Sequence, residues 1–223
     1  MSEAVRRREE GGGPMSEIAM IRHDFAPNCV WTFTLPDHRE VNRRLLRLIE
    51  AERRASPESR ECAGREMWQS SRQVTEDEPV REVFKTIFEH AYYIADFLRW
   101  DIAGCKPVVK VCWANIHPTG SYHTRHIHPA SVHLSGVYYI KTSRNCGNIV
   151  FHDLARFLGL WGAAPKTLEP TNYNQSRFSV EPEDGLGLLF PGYIMHEVET
   201  NRSEEDRVGL AFNINFEQQR VDQ

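Results

Sequence analysis

The stretch "YHTRHIHPASVH", residues 122–133, holds four histidines in twelve positions, and His117 lies just upstream. Five of the chain's ten histidines thus fall between 117 and 133, while no Asp or Glu occurs from Ile102 to His152. Imidazoles crowded together and kept away from carboxylates suit a first-row metal bound through nitrogen. His126 and His128 stand two residues apart, so on a strand both project from one face, a few ångströms from each other. A lone histidine on an inner face is ordinarily a hydrogen-bonded core residue. A pair at this spacing, in so dense a cluster, reads instead as two ligands of one metal. For the third ligand the downstream candidate is His196 in "FPGYIMHEVET", the only histidine after residue 152. It follows a turn at Pro191 and Gly192 and lies on a strand-like run. Eleven residues later stands Arg207.

Such residues converge only if strands carry them. After Gly104 the chain breaks into short apolar runs: "VVKVCWANI", "SGVYYIK", "NIVFHD", "RFSVEP", "LGLLF", "IMHEVE" and "RVGLAFNINF". "HPTG", "TSRNCGN" and "PEDG" read as turns between them. Before Gly104 the pattern is largely helical. "CVWTFTL" reads as a strand, and Pro36 and Asp37 then suit the start of a helix striped by Val41, Leu45, Leu46, Leu48 and Ile49. Residues 57–77 read as a polar loop with Trp68 as an anchor. A second helix is expected over 78–102, with Val83, Phe84, Ile87, Phe88, Ala91, Ile94, Phe97 and Leu98 recurring at three and four and Gly104 stopping it. Helices followed by strands argue an α+β chain with a mainly β core, a sandwich or barrel flanked by N-terminal helices.

Strand parity indicates which side chains face inward. In "RVGLAFNINF", Leu210, Phe212, Ile214 and Phe216 share one face, greasy enough to lie under the helices. Arg207, Gly209, Ala211, Asn213 and Asn215 share the other, which suggests a polar lumen where a ligand would sit. In "VVKVCWANI", Val109, Val111, Trp113 and Asn115 share a face. Both faces of that strand are mostly apolar, so parity alone does not say which is inner. If Asn115 is lumenal, Trp113 lines the lumen too. Asn115, Tyr122, Tyr139 and Asn213 are candidates to hydrogen-bond a ligand or to be satisfied structural groups. His117 reads as structural, and His123 and His133 as exposed.

The ordered set "WANIHPTGSYHTRHIHPASVHLSGVYYIK", "GLGLLFPGYIMHEVET" and "RVGLAFNINF" resembles the Fe(II)- and 2-oxoglutarate-dependent oxygenase superfamily. It looks most like a branch with the signature H-x-H-P…SGVYY…LFP…H-x-V…R…AFN. The resemblance covers roughly residues 108–216. It implies a double-stranded β-helix, or jelly roll, whose mouth binds iron through His126, His128 and His196, with Arg207 anchoring the far carboxylate of 2-oxoglutarate; Asn115, Tyr122, Tyr139 and Asn213 are then candidates to hydrogen-bond 2-oxoglutarate or the substrate. The implied activity is oxidation, chiefly hydroxylation, of a substrate C–H bond with Fe(II), 2-oxoglutarate and O₂. This chain departs from the superfamily's usual His-x-Asp or His-x-Glu at His128. Glu197 must point to the face opposite His196, and nothing places Asp153 at the metal. The site is therefore read as free of carboxylates, with a variant in which only His126 and His196 bind and water fills the third position. Two rivals stand beside this reading: a 2-oxoglutarate-independent cupin-like dioxygenase, which has no evident need of Arg207, and a non-enzymatic jelly-roll binding or sensor module.

Composition sets further bounds. The chain has 223 residues, a net charge of −4 and 26% charged residues. That suits one soluble domain and gives no basic field for nucleic acid. No apolar run approaches the ~20 residues that span a bilayer. Residues 1–17 read as a disordered tail without the apolar stretch of a secretory signal. Residues 18–223 read as a single oxygenase domain, with a strand and helical flank over 18–104 and the jelly-roll core over 105–223. Five cysteines without a CxxC pair suggest reduced thiols and a cytoplasmic location. The expected partner is a small-molecule substrate, acidic or zwitterionic if Arg125 faces it, with no nucleic acid and no membrane; a homodimer is the one candidate assembly.

Overall fold

The computed structural model describes residues 4–6, 17–21, 28–58, 60–62, 65–153, 169, 171 and 174–219. Within the segment expected as a tail, Ala4–Arg6 (β1) pairs antiparallel with Glu17–Ile21 (β2). Trp161 lies outside the described residues, as do residues 1–3 and 7–16.

The body is two antiparallel sheets. The larger takes seven strands in the order β3 (Trp31–Thr34), β11 (Leu186–Pro191), β8 (Leu134–Lys141), β13 (Arg207–Gln218), β6 (Cys105–His117), β5 (Arg65–Gln69) and β4 (Arg60–Cys62). The smaller takes four, in the order β10 (Arg177–Val180), β9 (Ile149–His152), β12 (Met195–Val198) and β7 (His123–His126). Two helices, α1 (His38–Ala55) and α2 (Glu78–Phe97), cover the outer face of the larger sheet. Their apolar stripes pack Val41, Leu45, Ile49, Val83, Phe84 and Ile87 against Cys112, Ala114, Ile116, Leu210, Phe212 and Ile214. No helix among the described residues is long and apolar enough to cross a membrane.

A buried polar link fixes α1 to the sheet. The Tyr138 hydroxyl donates to Asn42 Oδ1 at 2.7 Å, and Asn42 Nδ2 donates to the Ile140 carbonyl at 2.8 Å. Gly136 marks another close approach on β8. A Cβ there would lie 2.5 Å from the Leu188 carbonyl and 2.6 Å from the Phe212 ring.

Several sequence expectations need correction. The stretch 57–77 is not all loop. Trp68 and Gln69 pair with Ile116 and Asn115, adding β5 to the sheet edge, and Arg60–Cys62 pairs with β5 in turn. Its polar composition hid a short alternation in which Trp68 turns to the helices. The second helix ends at Phe97, short of Gly104. Arg99 takes a left-handed φ of 54°, its N–H donates to Asp96 and that of Trp100 donates to Ala95, which closes the helix end. On β6 the expected face holds for Val111, Trp113 and Asn115 but not for Val109. Asn213 pairs with Val111 and Ile214 with Val109, so Lys110 is an extra residue that turns Val109 to the helix side. Asn215 keeps its face, yet its Oδ1 accepts the His133 N–H instead of reaching a ligand.

Tyr138→Phe should strand the buried Asn42 Oδ1 without a donor and cost about 1–3 kcal/mol. Urea unfolding of the variant checks this; an unchanged midpoint would mean that the link contributes nothing to docking α1.

Candidate metal centre

A cavity of about 160 Å³ opens between the two sheets. From the smaller sheet it receives His123 and His126 of β7 and His196 of β12. From the larger sheet come Asn115 and His117 of β6, Tyr139 of β8, and Arg207, Gly209, Ala211 and Asn213 of β13. His128 completes the histidine group from just beyond β7, where its N–H donates to the Gly192 carbonyl at 3.0 Å. His126 and His128 are therefore neighbours through a strand end and the turn after it, not through one regular strand.

His126 is paired directly with His196 across β7 and β12. The imidazoles of His126, His128 and His196 each offer a ligand nitrogen, and these nitrogens lie within 4.8 Å of one another. Ring centroids are 4.2 Å apart for His126 and His196, 5.3 Å for His126 and His128, and 5.2 Å for His128 and His196. Backbone contacts set two tautomers. Since a carbonyl can only accept, Nδ1–H of His126 donates to Thr124 O at 2.8 Å and Nδ1–H of His196 donates to Ile194 O at 2.9 Å. Each ring then keeps an Nε2 lone pair for a metal. His128 Nε2 lies 2.8 Å from the Ser135 hydroxyl.

No carboxylate joins this group among the described residues. Glu197 points to the opposite face, 2.9 Å from Arg125 and 3.1 Å from His152. Arg125 is thereby turned away from the cavity, which removes the ground for expecting an acidic or zwitterionic substrate. Burial is the main force on the imidazoles, and it disfavours their charged forms. It lowers the pKa of His126, takes that of His128 to about 4 and that of His196 to about 3, with the neighbouring histidines adding to the effect.

Arg207 is 2% exposed and lines the same cavity. Its Nη1 donates to the Cys146 and Gly147 carbonyls at 2.5 and 2.9 Å, while its Nη2 is buried with no hydrogen-bond partner. Gly147 has φ 90° and sits so close that a Cβ there would lie 3.0 Å from Arg207 Nη1. Burial lowers the guanidinium pKa, and no acid pairs with it among the described residues. A buried cation with an idle donor calls for an anion in the cavity. Tyr139, 3% exposed, stands beside it, its phenol pushed up to about 12 by burial.

Of the sequence candidates, His126, His128, His196, Arg207, Asn115, Tyr139 and Asn213 meet at this cavity. Tyr122 does not. It precedes β7 and lines a separate polar depression with His123, Thr124, Arg125 and Glu197. His117, expected to be structural, faces the cavity 8% exposed, with Nδ1 buried and unpartnered. It extends the odd-numbered face of β6 by one residue, a parity signal present in the sequence. Met67 and Gln69 were missed with β5, and Ser135 has no sequence signal of its own. His123 is half-buried and its ring lies 4.4 Å from that of His126, while exposed His133 accepts the Phe216 N–H.

This two-sheet barrel, with histidines on one sheet facing a buried arginine on the other, defines a jelly-roll architecture. Residues 111–213 match the family described as "Putative 2OG-Fe(II) oxygenase", a family that uses Fe(II) and 2-oxoglutarate. Among solved structures, a prolyl-4-hydroxylase from Pseudomonas putida superposes with TM-score 0.57 at 15% identity, covering 86% of this chain and 94% of that one. A 2OG-Fe(II) oxygenase family oxidoreductase from Burkholderia pseudomallei gives 0.51 at 15% identity over 82% and 85%. SnoN, a non-heme α-ketoglutarate-dependent epimerase of nogalamycin biosynthesis, gives 0.58 at 13% identity over 84% and 78%. These likenesses show a shared fold. No curated protein matches the sequence.

The depressed pKa of His196 predicts how the metal-free protein responds to acid. Unfolded, this imidazole takes up a proton near 6.5; folded, only near 3. Between those values the unfolded state binds the extra proton, so stability held above pH 6.5 is lost as the pH falls toward 3. From pH 7 to 5 the parent should lose about 2 kcal/mol more than His196→Asn, at ~1.4 kcal/mol per unit below the unfolded pKa. Urea unfolding at both pH values tests it, and parallel losses would place His196 in a wetter site than this one.

Proposed function

We propose that this chain is a three-histidine, iron- and 2-oxoglutarate-dependent oxygenase that oxidises, most readily by hydroxylation, a C–H bond of a small molecule. The observation that carries this reading is one cavity holding both a carboxylate-free histidine trio and a buried guanidinium with an idle Nη2. The donor set fits the group. His126 and His196 have their Nδ1–H occupied by backbone and present Nε2, and His128 comes within reach of both. Bound iron, with 2-oxoglutarate and O₂, supplies the oxidising equivalent.

The residues of this chain bind, orient and exclude water. Three neutral imidazoles leave a 2+ ion uncompensated by protein, which favours a dianionic co-substrate. Arg207 Nη2 is placed to donate to its far carboxylate, and Nη1 is held by two carbonyls so that the fork cannot rotate away. His117 is the residue paired with Arg207 across β6 and β13. Opposite residues share a face at a Cβ separation of ~5 Å, so its unpartnered Nδ1 can donate to the same carboxylate. Phe190, Ile149 and Val198 line the cavity with apolar surface. A 2-oxoglutarate-independent dioxygenase or a passive binding module has no use for this acid-free arginine.

Release of succinate from 2-oxoglutarate by the iron-loaded protein under O₂ tests the activity, and none under any substrate screened would sink it. Arg207→Leu should lose 2-oxoglutarate binding almost entirely, and Arg207→Lys should keep the charge but lose the fork. His117→Phe should weaken 2-oxoglutarate binding roughly 10- to 100-fold, the effect of one hydrogen bond to a charged group; calorimetry reads all three. At the metal, His128→Asp should retain iron better than His128→Ala. Equal iron affinity in parent, Asp and Ala would mean a two-histidine site with water in the third position.

A further inference from the structure

Part of the cavity wall serves neither the metal nor the diacid. On β5 and β6, Gln69 and Asn115 are paired residues whose side chains both line the cavity. Gln69 Nε2 donates to Asn115 Oδ1 at 3.1 Å. That single bond leaves Gln69 Oε1 as an acceptor and Asn115 Nδ2 as a donor, side by side. Exchanging the two amide orientations reverses which residue offers which and leaves the same pair. Trp113 and Met67 flank this edge with apolar surface, and Ala211, the residue opposite Trp113, presents only a methyl group to the cavity. Asn213, six residues from Arg207 along β13, lies about 20 Å away at ~3.3 Å per residue. It pairs with Ser135, whose hydroxyl lies 2.8 Å from His128 Nε2, so this third carboxamide stands at the metal end of the cavity, which a substrate must also reach.

We propose that Gln69 and Asn115, with Asn213 and the Trp113 wall, bind the substrate through a neutral lactam or carboxamide edge. The proposal rests on the oxygenase reading of the cavity and names its substrate class. A lactam or primary amide carries N–H beside C=O, the complement of an acceptor beside a donor. Charge argues the same way. Among the described residues the lining holds no acid and no cation besides Arg207, and Arg125 is engaged with Glu197 on the other face. Carboxamides cannot compensate a carboxylate or an ammonium group brought out of water. A site built to hydrogen-bond an N–H also rejects the analogue lacking it, because its own polar groups are then left unpaired.

Zinc-loaded protein, which holds the site without turning over, provides the test. Saturation with 2-oxoglutarate is measured first; failure there would overturn the oxygenase reading and leave the lactam series to be read separately on the same protein. Oxindole, N-methyloxindole, phenylacetate and phenethylamine are then compared by saturation-transfer NMR. Oxindole should bind about ten-fold tighter than N-methyloxindole and than either charged probe, the worth of a hydrogen-bonded edge. Gln69→Met and Asn115→Leu should each erase most of that preference, with melting curves showing that they fold. The series on the parent needs no variant. Oxindole and N-methyloxindole binding alike, or phenylacetate binding tighter than oxindole, overturns the proposal.

Discussion

The register of β13 between β6 and β8 is the constraint on which the rest depends. It faces Leu210, Phe212 and Ile214 to the helices and turns Arg207, Gly209, Ala211 and Asn213 into the cavity. Side chains alternate with period two, so a slip of one residue would place the guanidinium against α2 and the phenylalanine in the lumen. Both outcomes are costly, because burying a charge in apolar packing far exceeds the cost of one lost hydrophobic contact. The apolar face thus selects the register, and the register delivers Arg207 to its cavity.

The same economy of partners shapes the metal side. Burial drives the histidines toward their neutral form, which is the form that ligates a metal. Two backbone carbonyls then take the Nδ1 hydrogens of His126 and His196, so the tautomer is set by main chain and not by acids. Keeping carboxylates out has a consequence for the opposite wall. With no anion near it among the described residues, Arg207 is left with an idle donor, and the cavity they line is short of negative charge. The dianionic co-substrate proposed above would satisfy both ends at once.

Glu197 shows how acids are present yet excluded. It follows His196 directly, and alternation sends it to the outer face, where Arg125 and His152 receive it. That triad ties β7, β9 and β12 together on the side away from the chemistry. The polar depression beside it takes Tyr122 and Arg125, so both are lost to the cavity.

The sequence by itself determined the two amphipathic helices, the strand-rich second half, the inward face of β13 and the identity of the histidine trio and Arg207. Each is written in local periodicity or in a motif, and none needs a distant partner to be read. Tertiary structure alone decided the rest. β5 became a strand because Trp68 and Gln69 found the free edge of β6, a pairing no local pattern specifies. The extra residue at Lys110 reversed the face of Val109, and only a partner strand reveals a bulge. His117 and the Gln69–Asn115 pair entered the site through cross-strand register. Propensity and alternation act within a few residues of one chain segment, whereas register and bulges are settled between segments, by which faces must be buried together.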